Sequence, residues 1–283
     1  MPPSFLPPEQ ATILITGCSS GIGLCVAEGL QRRGYRVFAT ARRAEDVLRL
    51  QQQGLTAHRL DLADERSIAT AVEWLLLQTG GQLYALFNNG AYGLPGAVED
   101  ITTEALRAQF ETNLFGTHAL TRRVIPVMRR QGYGRIIQNS SILGFVALKY
   151  RGAYIASKFA LEGLTDAMRL ELHGSGIHLS LIEPGPVISR FRDNAAQAFL
   201  RWVDGEHSLH QQAYQALQAA RLSGKRTAFS VAPEVVLQRV VHALESKRPR
   251  IRYPITFPTY LFAFLHRLLP DRLMDRVLSW KII

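Results

Sequence analysis

Ala11-Thr12-Ile13-Leu14-Ile15-Thr16-Gly17-Cys18-Ser19-Ser20-Gly21-Ile22-Gly23 is the stretch on which the fold turns. Its first six residues form a short, apolar, β-branched run, the pattern of a buried strand. Glycines at 17, 21 and 23 follow at once, and residues 24–33 read as a helix that ends at Gly34. Strand, glycine-rich turn and helix together are the context a phosphate site requires. Glycine lets the backbone approach an anion, and the helix N-terminus offers N–H groups with no partner inside the helix. The spacing is T-G-x-x-x-G-x-G rather than G-x-G-x-x-G, with Ser19 and Ser20 between the first two glycines. Taken alone, the stretch also reads as a plain tight turn.

Downstream the chain alternates. Residues 36–40, 56–60, 83–87, 135–138 and 177–182 read as strands, with 250–253 as a short last one. Helices are expected at 44–53, at 64–79 with Asp64 as N-cap, at 102–130 (broken once and kinked late by Pro126), at 152–173 and at 233–245. Such alternation implies an α/β fold, a doubly wound parallel sheet of about seven strands with helices on both faces, and ligands at the carboxyl ends of the strands. Residues 188–224 are helical in composition but broken near Gly205 and His207. With no linker, charge block or repeat, residues 1–283 read as one domain: a core over 10–186, a substrate segment over 187–230 and an apolar, basic helical tail over 254–283.

A second stretch carries the chemistry. Asn139-Ser140-Ser141 is followed by an apolar, glycine-containing run and then by Tyr154-Ile155-Ala156-Ser157-Lys158. Residues four apart share a helix face, so the Tyr154 and Lys158 side chains can meet. An unperturbed phenol titrates near ~10, and a fixed ammonium favours its anion. Such a pair is expected to trade a proton with an oxygen near neutral pH, with the Ser141 hydroxyl holding the same oxygen. The implied chemistry is a carbonyl becoming an alcohol, or the reverse, and the hydride has to come from a nicotinamide dinucleotide seated on the glycine turn.

Together these stretches resemble the short-chain dehydrogenase/reductase family, in its single-domain branch, over residues 11–186 and more loosely to 253. Within it, the chain looks most like NADP-dependent aldehyde reductases and retinol- or hydroxysteroid-dehydrogenase-like members. The resemblance implies an NADP(H)-dependent oxidoreductase that interconverts an aldehyde or ketone and an alcohol on a lipophilic substrate. It implies Tyr154 as acid and base, and Lys158 both lowering the phenol's pKa and bonding the nicotinamide ribose. Ser141 would hold the substrate oxygen, and Asn113 a water chain from the lysine to solvent. Ser141 precedes Tyr154 by 13 residues, as in the family. Ser140 is the competing candidate, its side chain expected on the other face.

For the cofactor, the resemblance implies a cradle of Gly17, Ser19, Ser20, Gly21, Ile22 and Gly23. Asp61 would bond the adenine amino group, with Leu62 beside it. Asn88, Gly90 and Ala91 would line the cofactor, although the family's Asn-Asn-Ala-Gly is Asn88-Asn89-Gly90-Ala91 here. Pro184-Gly185-Pro186-Val187 would hold the nicotinamide amide through backbone groups at Val187, and Ser189 replaces a family threonine. Arg42 and Arg43 follow the second strand, with Ala41 where NAD-preferring members carry an acid. An acid there bonds a ribose 2′-hydroxyl, whereas arginine accommodates a 2′-phosphate, so NADP(H) is expected over NAD.

Composition bounds the remaining classes. Hydrophobic residues make up 47% and charged residues 20% of the chain, which argues against disorder. The 33 basic and 23 acidic residues give a net charge of +10. No nucleic-acid motif accompanies that excess, and a polyanionic cofactor plus a basic tail account for it. Cys18 and Cys25 are too close to staple the fold, which suggests a reducing compartment and a cytoplasmic protein. Residues 1–8 lack the marks of a signal peptide, and no run of apolar residues is long enough for a transmembrane helix. The eight histidines form no cluster with acids or cysteines, so no metal is expected.

Three readings of the tail stay open. Residues 260–269 are apolar and helical, Pro270 ends them, and Leu273, Met274, Val277, Leu278 and Trp280 continue the stripe among Arg272, Arg276 and Lys281. The tail can fold over the substrate mouth, lie on a membrane surface as an interfacial helix pair, or simply pack on the core. The family's dimer interface uses the 102–130 helix and the Tyr154 helix. Ala156, Ala160, Gly163 and Ala167 would permit close packing there, so a homodimer or homotetramer is expected. Two other functions compete: oxidation of a retinol- or steroid-like alcohol with NAD(P), and a non-catalytic NADP-sensing regulator. A sensor has no need of the full Asn113, Ser141, Tyr154 and Lys158 set.

Overall fold

Apolar residues that alternate along each strand build two cores, one on either side of the sheet. In the computed structural model, which describes residues 6–223 and 228–279, the strands are β1 (Thr12–Ile15), β2 (Arg36–Ala41), β3 (Thr56–Arg59), β4 (Ala85–Asn88), β5 (Gly134–Asn139), β6 (Ile177–Glu183) and β7 (Arg252–Pro254). Ile13, Ile15, Val37, Ala39 and Phe87 face one side, and Leu14, Phe38, Leu86 and Ile136 the other. The first set is covered by α1 (Gly21–Arg32), α2 (Ala44–Gln52) and α9 (Glu234–Glu245). The second is covered by α3 (Glu65–Thr79), α5 (Gly116–Gln131) and α6 (Gly152–Glu171). Each fully buried Leu, Ile or Phe contributes about 1.5–3 kcal/mol. These two layers hold the frame, which frees the strand ends for other work.

Among the described residues, the strands form one parallel sheet in the order β3-β2-β1-β4-β5-β6-β7. The order reverses between β1 and β4, so a crevice opens beyond their carboxyl ends. The glycine turn leaves β1 and residues 89–93 leave β4 at that crevice.

Local details differ from the sequence expectation at the element ends. The first helix begins at Gly21 and not at Leu24, which makes Gly21 and Gly23 part of its first turn. Asp64 caps α3 as expected, accepting from the N–H groups of Arg66 and Ser67 at 2.9 and 3.3 Å. The 102–130 segment divides into α4 (Thr103–Phe110), a wide π turn over Glu111–Phe115, and α5 with Pro126 inside it. A Cβ on Gly116 would lie 1.8 Å from the Leu62 carbonyl oxygen, so only glycine lets α5 start so close to the loop after β3. The 188–224 region contains α7 (Phe191–Trp202) and α8 (Gln211–Leu222), separated by an irregular stretch that includes Gly205 and His207. The tail forms α10 (Phe257–Leu268) and α11 (Asp271–Ser279); Trp280 and Lys281 lie outside the described residues. No described helix is long and apolar enough to cross a membrane.

Candidate active site

The glycine turn closes on itself with no room for side chains. Gly17 has φ +70°, and a Cβ there would stand 2.7 Å from the Gly90 Cα. A Cβ on Gly23 would meet the Gly17 carbonyl oxygen at 2.3 Å. Ser20 holds the N-cap position of α1 but makes no side-chain cap, unlike Asp64 on α3 and Thr102 on α4. The N–H groups of the first turn therefore remain for another acceptor, and the helix dipole favours an anion there. The Ser19 carbonyl accepts from the Arg49 guanidinium at 2.7 Å. Ser189 arrives from beyond β6 and lies over the turn: a Cβ on Gly21 would touch the Ser189 Cβ at 2.8 Å. Ile22, at the first turn of α1, packs against the core.

Asn89, passed over in the sequence reading, braces this turn. Its Nδ2 donates to the carbonyls of Thr16 and Gly17 at 3.0 and 3.1 Å, and its N–H donates to Thr16 Oγ1 at 2.9 Å. Its Oδ1 accepts from Asn139 Nδ2 at 2.9 Å, tying β1, β4 and β5 together at their carboxyl ends. The Gly90 N–H also donates to Thr16 Oγ1, at 2.8 Å, and Ala91 continues the loop, half-buried. The side chain of Asn88 is directed into α5, donating to Thr121 Oγ1 at 2.9 Å. That bond directs the Asn88 amide nitrogen into α5, and the Asn88 backbone ends β4 at the crevice. The doubled asparagine was the available signal for the brace, and alternation along β4 decides which of the two turns inward.

Beyond β3, Asp61 closes a turn of its own chain. Its Oδ1 accepts from the Ala63 N–H at 3.0 Å, and its N–H donates to Ser67 Oγ at 3.0 Å, while Leu62 is buried beside it. Arg43 pairs loosely with Glu45 at 3.6 Å, both exposed. The Arg42 guanidinium is exposed and has no hydrogen-bond or ion-pair partner among the described residues. Burial pushes the Tyr92 phenol up, and the charges of Arg201 and Arg42 oppose that shift, so Arg42 lies toward the loop after β4. At the other end, Val187 pairs with Val231 through its neighbours: the Val231 N–H donates to Pro186 O at 3.1 Å and the Ile188 N–H to Val231 O at 3.0 Å. The Val187 N–H points to the opposite edge, as parallel pairing requires. Pro184 and Gly185 form the turn before it, and Gly185 lies against Thr256. An uncapped helix start, close-packed glycines at 17, 21 and 23, and an outward backbone amide fit a dinucleotide.

Helix α6 buries one stripe, at Tyr154, Ser157, Lys158, Leu161, Glu162 and Thr165, and so carries the phenol and the ammonium inward together. Lys158 Nζ donates to the Asn139 carbonyl at 2.6 Å and stands 5.7 Å from the centre of the Tyr154 ring. Ser141, in extended backbone after β5, donates from Oγ to the Pro184 carbonyl at 3.4 Å and accepts from the Leu143 N–H at 3.1 Å. Ser140 turns the other way, toward Glu162 and Gly144.

The electrostatics reverse one expectation. Burial pushes the Tyr154 phenol up to about 12, with the Ser141 hydroxyl opposing. Burial also draws Lys158 down to about 8, with Glu162 opposing. Spacing alone predicts a phenol that ionises easily. In the fold, desolvation dominates at the phenol, and the Lys158 Nζ is held by the Asn139 carbonyl. The resulting phenol keeps its proton at neutral pH, the form an acid needs.

Asn113 is placed by three hydrogen bonds. It sits in the π turn, accepting from the Tyr92 N–H at 3.1 Å and donating to Tyr92 O at 2.9 Å and to Ser157 Oγ at 3.1 Å. Ser157 Oγ in turn donates to the Tyr154 carbonyl at 2.7 Å. Both amide hydrogens are thus committed to protein groups, so the side chain positions the 92–94 loop against α6. Gln109 adds two bonds to the same loop. Phe191, another residue the sequence did not single out, sets its ring edge-on to Tyr154 at 5.4 Å. A Cβ on Gly93 would meet that ring at 2.9 Å, so Gly93 and Phe191 form an apolar wall beside the phenol. Only the return of α7 over the strand ends reveals that contact. Among the described residues no group of three or more His, Cys, Asp or Glu could hold a metal, and both cysteines are free thiols.

Comparison with known proteins agrees with this geometry. The short chain dehydrogenase family model matches residues 11–198. The chain is 41% identical over 270 residues to the uncharacterized oxidoreductase YbbO of Escherichia coli K12, covering 95% of this chain and 94% of that protein. It is 34% identical to human retinol dehydrogenase 8, covering 85% and 80%, and 33% identical to human 17-beta-hydroxysteroid dehydrogenase type 1, covering 93% and 81%. A solved short-chain dehydrogenase from Streptomyces avermitilis superposes with a TM-score of 0.76 at 26% identity, covering 96% of each chain.

Proposed function

The chain belongs to the short-chain dehydrogenase/reductase family and is an oxidoreductase, and from that premise we propose that it reduces the carbonyl of a lipophilic aldehyde or ketone with NADPH. The observation that carries the reading is the buried, protonated Tyr154 phenol, with the Ser141 hydroxyl on one side and the Lys158 ammonium one helical turn on. When bound, the reduced nicotinamide supplies the hydride. Gly17, Ser19, Ser20, Gly21, Ile22 and Gly23 would hold the pyrophosphate, Val187 the carboxamide and Lys158 the ribose. Ser141 Oγ and the Tyr154 hydroxyl hold the substrate oxygen. As the carbon takes the hydride, the Tyr154 O–H breaks and its proton passes to that oxygen, giving an alcohol. The Lys158 ammonium then stabilises the phenolate until a proton returns.

Preference for NADPH rests on Arg42, which is exposed and unpaired among the described residues, and on Ala41 where a carboxylate would repel a phosphate. A charge-assisted bond of about 1.5–3 kcal/mol corresponds to about 10–150-fold between the two cofactors. A lipophilic substrate fits the Gly93–Phe191 wall and the names of two relatives, for retinol and for a hydroxysteroid. Those names also favour a second reading, oxidation of such an alcohol by the same residues. Free Cys18 and Cys25 suit a reducing compartment such as the cytoplasm. Following NADPH absorbance over a panel of aldehydes, ketones and sterols tests the proposal. Turnover of apolar carbonyls is expected, and no turnover across the panel would contradict it.

A further inference from the structure

The tail is apolar on both of its sides. The inner face of α10 and α11 packs Phe262 and Met274 on Ile142 and Val146. The outer face of α10 presents Phe257, Tyr260, Leu261, Phe264 and Leu268, each between 37 and 63% exposed. Their spacing of three, four, seven and eleven residues from Phe257 makes one stripe. Phe229 extends it, its ring 5.6 Å from that of Phe257. Packing the tail on the core requires only the inner face.

We infer that this outer stripe of α10 docks on an anionic lipid surface. Aromatic and leucine side chains beside cations are the composition that seats a helix in the headgroup region. Arg267 borders the stripe, seven residues from Tyr260 and three from Phe264, and Arg272 and Arg276 are exposed on α11. None of the three has an ion-pair partner among the described residues, although α11 also carries Asp271 and Asp275. The whole chain adds a charge of +10, which draws it to an anionic bilayer. Position agrees with function. The buried side of α10 rests on the turn at Ile142–Gly144 that follows Ser141, and Thr256 at its start touches Gly185. The lipid-facing stripe therefore lies beside the cleft, where an apolar substrate reaches the phenol from the bilayer.

The test is sedimentation of the full chain with vesicles of phosphatidylcholine alone and of phosphatidylcholine with phosphatidylglycerol. Binding at least about tenfold stronger to the anionic vesicles is expected, weakening as salt is raised from about 0.1 to 0.5 M. The double substitution Phe264→Glu and Leu268→Glu should remove that binding without changing NADPH affinity or the melting temperature. Should it fail to fold, Arg267→Gln with Arg272→Gln should weaken only the anionic binding. Equal recovery with both vesicle types overturns the inference. So does undiminished binding by the folded variants, or a dimer that Phe264→Glu with Leu268→Glu dissolves while no vesicle binding occurs.

Discussion

Three buried ionisable side chains, Tyr154, Lys158 and Glu183, set the pH behaviour. A phenol held up to about 12 is protonated through the neutral range, so carbonyl reduction should be flat in pH there and fall only under alkaline conditions. A rate that halves between pH 6 and 7, read from NADPH oxidation, would argue against Tyr154 as the acid. Glu183 is pushed up to about 8, chiefly by burial, with Glu162 adding and Arg252 opposing. The folded chain then keeps a proton that the unfolded chain releases near 4.5, so this group's contribution to stability is lost as pH rises from 4.5 through 8. Lys158 has the opposite sign. It is drawn from 10.5 to about 8, so stability recovers as pH rises between those values. Melting curves of Glu183→Gln and the parent should diverge across pH 5–8, with the flatter slope in the variant. Parallel curves would contradict the assignment. The sequence could place Tyr154 and Lys158 on one face but not the direction of the phenol's shift, because desolvation depends on what the fold packs over the helix.

Among elements, the glycine turn and the π turn do different jobs. Gly23→Ala drives a Cβ into the Gly17 carbonyl and should abolish dinucleotide binding, measured by calorimetry, while leaving a folded chain. Retained affinity would show that the turn is not the phosphate seat. The π turn swings Asn113 inward to clamp Tyr92, so Asn113→Ala should release the 92–94 loop and lower turnover more than NADPH affinity. Loss of affinity with turnover intact would count against that role. Asp64→Ala removes the α3 cap and should cost about 0.5–2 kcal/mol in a denaturant melt. The strand–turn–helix units and the Asp64 cap were legible because local pattern dictates them. The break in the 102–130 helix was legible but its widened form was not, because local pattern does not separate a π turn from an ordinary helix break. On the outer faces of the π turn and α6, Phe115 and Phe159 stay exposed. We expect self-association there, and Phe159→Glu should shift the sedimentation coefficient toward a monomer; an unchanged coefficient speaks against it.

For the molecule as a whole, the parallel sheet brings residues that follow four of its strands to one edge. Gly17, Asn89, Ser141, Val187 and Phe191 follow β1, β4, β5 and β6, and α6 aims Tyr154 at the same place. The motifs at 17–23 and 141–158 were legible as a pair because each carries its own spacing. Asn89, Gly93 and Phe191 were not, because they gain meaning only from contacts that the crossovers create. The central claim is that the Tyr154 hydroxyl, and no other group, delivers the proton to the substrate oxygen. Tyr154→Phe removes that oxygen and little else. Measured side by side, NADPH binding should stay within about threefold of the parent while turnover of an apolar aldehyde falls by about 10²–10⁴. Turnover within about tenfold of the parent, with the same NADPH affinity, would contradict the account.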